Sequence, residues 1–118
     1  MKTLRSFTYA FRGLKLFFKE ERNVRIEAFI AVAAIILGLS LHINPCEWVG
    51  ILLCIGAVLS AEAFNTAIEA LCDKVEPDKD PIIAKVKDIS AAAVLILAIV
   101  SAIVGLHIFL PYLLGILN

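Results

Sequence analysis

The chain has 118 residues, 61% of them hydrophobic, and a mean hydropathy of +0.93. Soluble domains hold roughly 45–50% apolar residues, so a water-soluble globule is excluded, and the length accommodates one domain. Formal net charge is zero, from 11 basic and 11 acidic residues; no nucleic-acid partner is expected, and the informative quantity is where the charges lie.

Every basic residue falls in one of two stretches. Seven precede the first apolar run (Lys2, Arg5, Arg12, Lys15, Lys19, Arg22, Arg25), and four separate the second from the third (Lys74, Lys79, Lys85, Lys87). Residues 1–24 are predicted to form an amphipathic helix. Leu4, Phe7, Phe11, Leu14 and Phe18 recur at 3-4-3-4 spacing, and Arg5, Arg12 and Lys19 follow a seven-residue interval on another face. An aromatic stripe beside basic residues suits a helix lying in the membrane interface, or one packed on its own transmembrane bundle.

Residues 26–43 form the first expected span, nearly long enough at ~1.5 Å per residue to cross a core of ~30 Å. A secretory signal peptide is the rival reading, but the basic leader is too long and no small-residue cleavage site follows. Asn44-Pro45 turns the chain: Asn44 suits an N-cap, Pro45 the first helical position, and Glu47 the third residue of a capping box. The second span is expected over 46–75. Glu76-Pro77-Asp78-Lys79-Asp80-Pro81 breaks it, and Asp80 with Pro81 opens a third helix over 81–110, before Pro111. Its start, residues 82–88, is amphiphilic and belongs at the membrane surface. Lys and Arg mark cytoplasmic flanks. The N-terminal helix and the 74–88 loop are therefore expected in the cytoplasm, and the C-terminus outside. The three cysteines fit neither a disulfide framework nor a zinc site, and His42 and His107 have no partner ligands nearby in sequence.

Three polar residues interrupt the second span. Glu62, Asn65 and Glu69, followed by Asp73, are spaced 3, 4 and 4, which places them on one helical face. Counted from Trp48, a core of ~20 residues ends near Ala67. Glu62 then lies ~7 Å inside the boundary, Asn65 just inside it, and Glu69 and Asp73 at or beyond it. An ionisable group inside a span marks a functional site by default. Such a ladder suits chemistry between a lipid headgroup and a water-soluble reagent. Glu62 is placed to act as general base for a lipid hydroxyl, Glu69 to bind a divalent cation, Asn65 to orient a phosphate, and Lys87 to neutralise phosphate charge. Asp88 is placed to fix that lysine, a ribose or a metal-bound water. Glu20-Glu21 stand at the same boundary, where one is a candidate second metal ligand. Taken alone, Glu20, Glu27, Glu69 and Asp73 equally fit solvated carboxylates at helix ends, and Lys85 and Lys87 fit topology determinants. No P-loop, Rossmann or protein-kinase motif is present.

The run Glu62-Ala63-Phe64-Asn65-Thr66-Ala67-Ile68-Glu69, with Asp73 and then Lys87-Asp88, resembles the signature of the prokaryotic diacylglycerol kinase family, which includes the undecaprenol kinases. The similarity extends from Tyr9 onward and takes in Gly13-Leu14, Glu21-Arg22-Asn23 and 105–111. The resemblance implies an all-α integral-membrane homotrimer, with an interfacial amphipathic helix and three transmembrane helices per protomer. It implies transfer of the γ-phosphate of ATP, with Mg²⁺, to a membrane lipid alcohol in the bacterial inner membrane, at sites completed by neighbouring protomers. By position, Glu62 corresponds to the general base, and Glu21 and Glu69 to the acids that hold the metal with ATP. Asn65, Lys87 and Asp88 correspond to nucleotide-site residues, Tyr9 to a nucleotide-contacting tyrosine, and Asp78, Lys79 and Asp80 to a loop near the adenine.

Two positions depart from the common pattern: Asp80 stands where the family commonly has His, and Ala91 where the diacylglycerol-preferring members carry Ser. Glu21-Arg22-Asn23 and the Phe109-Leu110-Pro111 ending are closer to the Gram-positive-type branch, so the resemblance favours undecaprenol over diacylglycerol. A bundle-centre ion or proton pathway and a structural assembly protein are the alternatives. The first is weakened by the absence of ionisable residues from Trp48 to Leu59. The second would give the polar face to oligomer contacts.

Overall fold

The computed structural model describes residues 2–115, which fold into helices α1 (Lys2–Glu20), α2 (Arg22–Leu41), α3 (Pro45–Val75) and α4 (Pro81–Leu113). Residue 1 and residues 116–118, with the C-terminus expected outside, lie beyond the described residues. Three of the four, α2, α3 and α4, are long and apolar enough to cross a membrane. At ~1.5 Å per residue α3 and α4 exceed a ~30 Å core by several turns, so both project from it.

The amphipathic helix ends earlier than the expected 1–24 range. Glu21 takes an extended conformation (φ −102°, ψ 110°), so α1 stops at Glu20 and α2 begins at Arg22. Arg25 explains how the break is held. Its Nη1 donates to the carbonyls of Phe18 at 3.1 Å and Lys19 at 2.7 Å. Those carbonyls belong to the last turn of α1, where no helical N–H remains to meet them. A cation at a helix C-terminus also opposes the negative end of the macrodipole. Leu4, Phe7, Phe11 and Leu14 are all exposed on α1.

The two turns are set by local chemistry. His42 adopts the left-handed conformation (φ 56°, ψ 50°), and the Ile43 N–H returns to the Gly38 carbonyl at 3.3 Å, closing α2. Asn44 and Glu47 then form the reciprocal capping box: Glu47 N–H donates to Asn44 Oδ1 at 2.9 Å, and Asn44 N–H to Glu47 Oε1 at 3.0 Å. Asp80 caps α4, its Oδ1 accepting from the N–H groups of Ile82 at 2.8 Å and Ile83 at 3.2 Å. At the far end, α4 runs through Pro111 to Leu113 rather than stopping near Phe109. Proline removes one backbone donor, which is tolerable this close to a terminus. The extra turn is tied down by Tyr112, whose hydroxyl donates to Glu47 Oε1 at 2.6 Å.

α3 packs chiefly on α4, α2 on α3, and α1 on α2. A buried apolar cluster sits at the α2–α3 turn, where Ile43, Ile51 and Ile108 are buried against Trp48, Ile55 and Val104. Elsewhere large side chains such as Phe29, Leu53, Phe64 and Ile99 remain exposed. So much apolar surface on one chain requires lipid or neighbouring subunits to cover it.

Candidate active site

The polar face of α3 forms a row at the end of the bundle opposite the Ile43 cluster. Glu62 and Asn65 are half-buried, and Glu69 and Asp73 are exposed. Asn65 Nδ2 donates to Glu69 Oε1 at 3.1 Å, one turn further along. That bond orients the amide and leaves its oxygen enclosed: Asn65 Oδ1 is buried and accepts no hydrogen bond. Buried acceptors are seldom left unmet, so this one is available to a donor or cation brought by a ligand.

Across from this row, α2 contributes Glu27. Its carboxyl lies within hydrogen-bonding reach of Glu62, and its Oε2 is enclosed without a conventional partner. Glu27 is thus a half-buried carboxylate with one enclosed oxygen beside the row, rather than a fully solvated one at a helix end. Position carried the signal: Glu27 lies near the start of the first apolar helix, at the same end of the bundle as Glu62. Periodicity missed it because Asn23, the one polar residue a turn away, lies before the first apolar run, and no polar residue follows Glu27 on its face at Ile30, Ala31 or Ala34.

Lys87 reaches the row from α4. Its Nζ donates to Asp73 Oδ1 at 2.5 Å, joining the last turn of α3 to the second turn of α4. The lysine therefore pairs with Asp73, while its sequence neighbour Asp88 is exposed. Lys87 also borders an open recess of about 580 Å³ formed by the α3–α4 loop, with Asp78, Lys79 and Asp80 on its wall. Within that loop the Asp78 N–H donates to Glu76 Oε1 at 3.3 Å. Asp80 is engaged by the α4 cap and only its remaining oxygen is free to meet a ligand.

Two sequence-selected residues sit apart from the row. Glu21 occupies the extended break between α1 and α2, half-buried. Tyr9 is exposed on α1, with the Arg12 guanidinium 5.5 Å from its ring centroid. Among the described residues no group of three or more His, Cys, Asp or Glu converges as an all-protein metal cage. The oxygen donors present, Glu69 and the unmet Asn65 Oδ1, fit Mg²⁺ held by one or two carboxylates together with substrate phosphates. The arrangement joins a carboxylate in an apolar setting, a set of oxygen ligands nearer water, and a cation beside an open loop recess. It can accept a proton from a membrane-embedded alcohol while a charged, water-soluble donor binds at the other end.

Residues 8–109 match the sequence model of the prokaryotic diacylglycerol kinase family. Among characterised relatives, the chain is 39% identical over 107 residues to a Bacillus subtilis protein named undecaprenol kinase, covering 91% of this chain and 87% of that one. It is 36% identical over 113 residues to a diacylglycerol kinase of a Synechocystis species, covering 95% of this chain and 65% of the relative. Against the diacylglycerol kinase of Escherichia coli K12 the identity is 26% over 102 residues, covering 86% and 84%. The match spans most of α1, all of α2 and α3, most of α4 and the whole polar row, so the chain belongs to the prokaryotic diacylglycerol kinase family and is an ATP-dependent lipid kinase of the membrane.

Proposed function

We propose that this chain transfers the γ-phosphoryl group of ATP to the hydroxyl of undecaprenol, with diacylglycerol the less favoured acceptor. The observation that carries the reading is the position of Glu62: a half-buried carboxylate in an apolar helix, on one face with Asn65 and Glu69. The lipid oxygen attacks the γ-phosphorus, the bond from that phosphorus to the β-bridging oxygen breaks, and ADP leaves. Glu62 takes the hydroxyl proton. Phosphoryl transfer needs positioning and charge neutralisation more than covalent help. Lys87 faces the transferring phosphate, Asn65 orients it, and Asp88, Tyr9 and the 78–80 loop contact the nucleotide. Glu69, with a Glu21 brought to the site by a neighbouring protomer, would hold Mg²⁺, which would screen phosphate charge when bound.

The preference for undecaprenol is supported by Ala91, by the Glu21-Arg22-Asn23 and Phe109-Leu110-Pro111 segments, and by an identity to the B. subtilis undecaprenol kinase (39%) that is well above that to the E. coli diacylglycerol kinase (26%), though only slightly above that to the Synechocystis one (36%). The protein works as a homotrimer in the bacterial inner membrane, with α1 and the 74–88 loop in the cytoplasm and the C-terminus outside. Exposed apolar faces and the charge distribution support that arrangement. The deciding experiment gives the purified protein ATP and Mg²⁺ with undecaprenol and diacylglycerol in competition. Preferential label in undecaprenyl phosphate is expected, and preferential label in phosphatidic acid would overturn the acceptor assignment.

A further inference from the structure

We propose that Asp73 is a positioning residue for ATP binding: it holds the Lys87 ammonium in the place where the nucleotide phosphates arrive. The inference rests on the lipid-kinase reading above. Asp73 is the last member of the α3 polar row, one turn beyond Glu69, and Lys87 comes from the facing helix α4. Their contact at 2.5 Å spans the base of the α3–α4 loop, beside the open recess that Lys87 borders.

The exposures of the pair argue for positioning over stability. The Asp73 side chain is 66% exposed and that of Lys87 37%, and pairs so open to water contribute little to folding. What the contact does is restrict a four-carbon stem that otherwise samples many rotamers. An ammonium has three donors. One is given to Asp73 Oδ1, which leaves two for phosphate oxygens, so the lysine can stay paired while it binds. The pairing also neutralises a carboxylate that would otherwise repel a triphosphate approaching Glu69. Asp88 does not fill this role, because the lysine's partner is on α3.

The test compares wild type, Asp73→Asn, Asp73→Glu, Lys87→Met and the double variant Asp73→Asn/Lys87→Met. Exposed Asp73 tolerates these changes, and Tm in detergent checks folding. Asp73→Asn is expected to weaken MgATP binding, read by titration calorimetry, by about three- to fivefold, the range set by a partly exposed ion pair. KM for ATP should rise by the same factor with kcat altered less than twofold, and Asp73→Glu should recover most of the loss. In the Lys87→Met background, Asp73→Asn should have no further effect on MgATP affinity. Equal losses in both backgrounds, or wild-type affinity in Asp73→Asn, would overturn the proposal. A second readout needs no kinase activity: acylation of Lys87 by an amine-reactive reagent, followed by mass spectrometry without nucleotide, should speed up several-fold in Asp73→Asn. An unchanged rate would show that Asp73 does not hold the lysine. Absence of lipid phosphorylation in the wild type would refute the kinase reading instead, with the acylation result still deciding the pair.

Discussion

The carboxyl groups of Glu27 on α2 and Glu62 on α3 face each other inside the helical bundle. Two like groups so placed repel when both are ionised, and neither has a lysine or arginine beside it in the described structure. The pair is therefore a poor device for stability.

Glu62→Gln keeps the shape and removes the proposed base. A positioned general base contributes typically ~10²–10⁴-fold, so label transfer from ATP to lipid should fall by at least about 10²-fold. The oligomer seen by size exclusion should be unchanged. Loss of the oligomer with the substitution would favour an assembly role for the polar face, and retained turnover would remove Glu62 from the chemistry.

Glu27→Gln separates stability from turnover. The amide N–H₂ can donate to Glu62, replacing a carboxyl–carboxyl contact with a matched one, and Tm should rise by a few degrees. The same bond stabilises the resting carboxylate of Glu62. Hydrogen bonds to charged groups are worth about 1.5–3 kcal/mol, so turnover should drop about tenfold or more. Wild-type turnover in this variant would uncouple Glu27 from the base.

The row on α3 was legible because hydropathy and helical period act on the same residues: Glu62, Asn65, Glu69 and Asp73 break a long apolar run at one angular position. The capping box at Asn44–Glu47 was legible because it is local chemistry. What escaped the sequence depends on contacts between helices. Glu27 became a site residue only when α2 packed against α3. Lys87 has carboxylates both next to it in sequence and across the loop in space, and only the fold shows that Asp73 is the partner. The break at Glu21 was hidden because no Pro or Gly marks it, and Arg25, which caps α1, does so from beyond the break. Pro111 is a strong stop signal in sequence, overridden here by the Tyr112–Glu47 bond.

That bond gives a prediction confined to the end of the bundle remote from the polar row. Tyr112→Phe removes the donor to Glu47 Oε1 and leaves the ring in place. Glu47 still caps α3 through Asn44, so the fold survives with a frayed last turn on α4. Tm should fall by a few degrees while kcat and KM stay at wild-type values. Faster amide exchange confined to the last turn of α4 would locate the effect, and a change in KM for ATP would contradict the separation of the two ends.

Gly38 offers the sharpest steric test. A Cβ there would sit 2.9 Å from Trp48 Cη2 and 3.1 Å from Ile43 Cδ1. Ile43 is buried in the turn-end cluster and Trp48 packs against it, so neither side chain can retreat without opening that cluster. Overpacking costs typically about 1–3 kcal/mol, whereas alanine gains roughly 0.8–1.0 kcal/mol over glycine within a helix. Gly38→Ala should therefore be neutral at best and destabilising by about 2 kcal/mol at most. Trp48 is the chain's single tryptophan, so its emission reports the displacement directly: the spectrum should shift in Gly38→Ala, and Ile43→Val, which removes a methyl from the same contact, should partly restore it. A variant with wild-type emission and raised Tm would show that α2 and α3 approach less closely at this turn than the contact distances require.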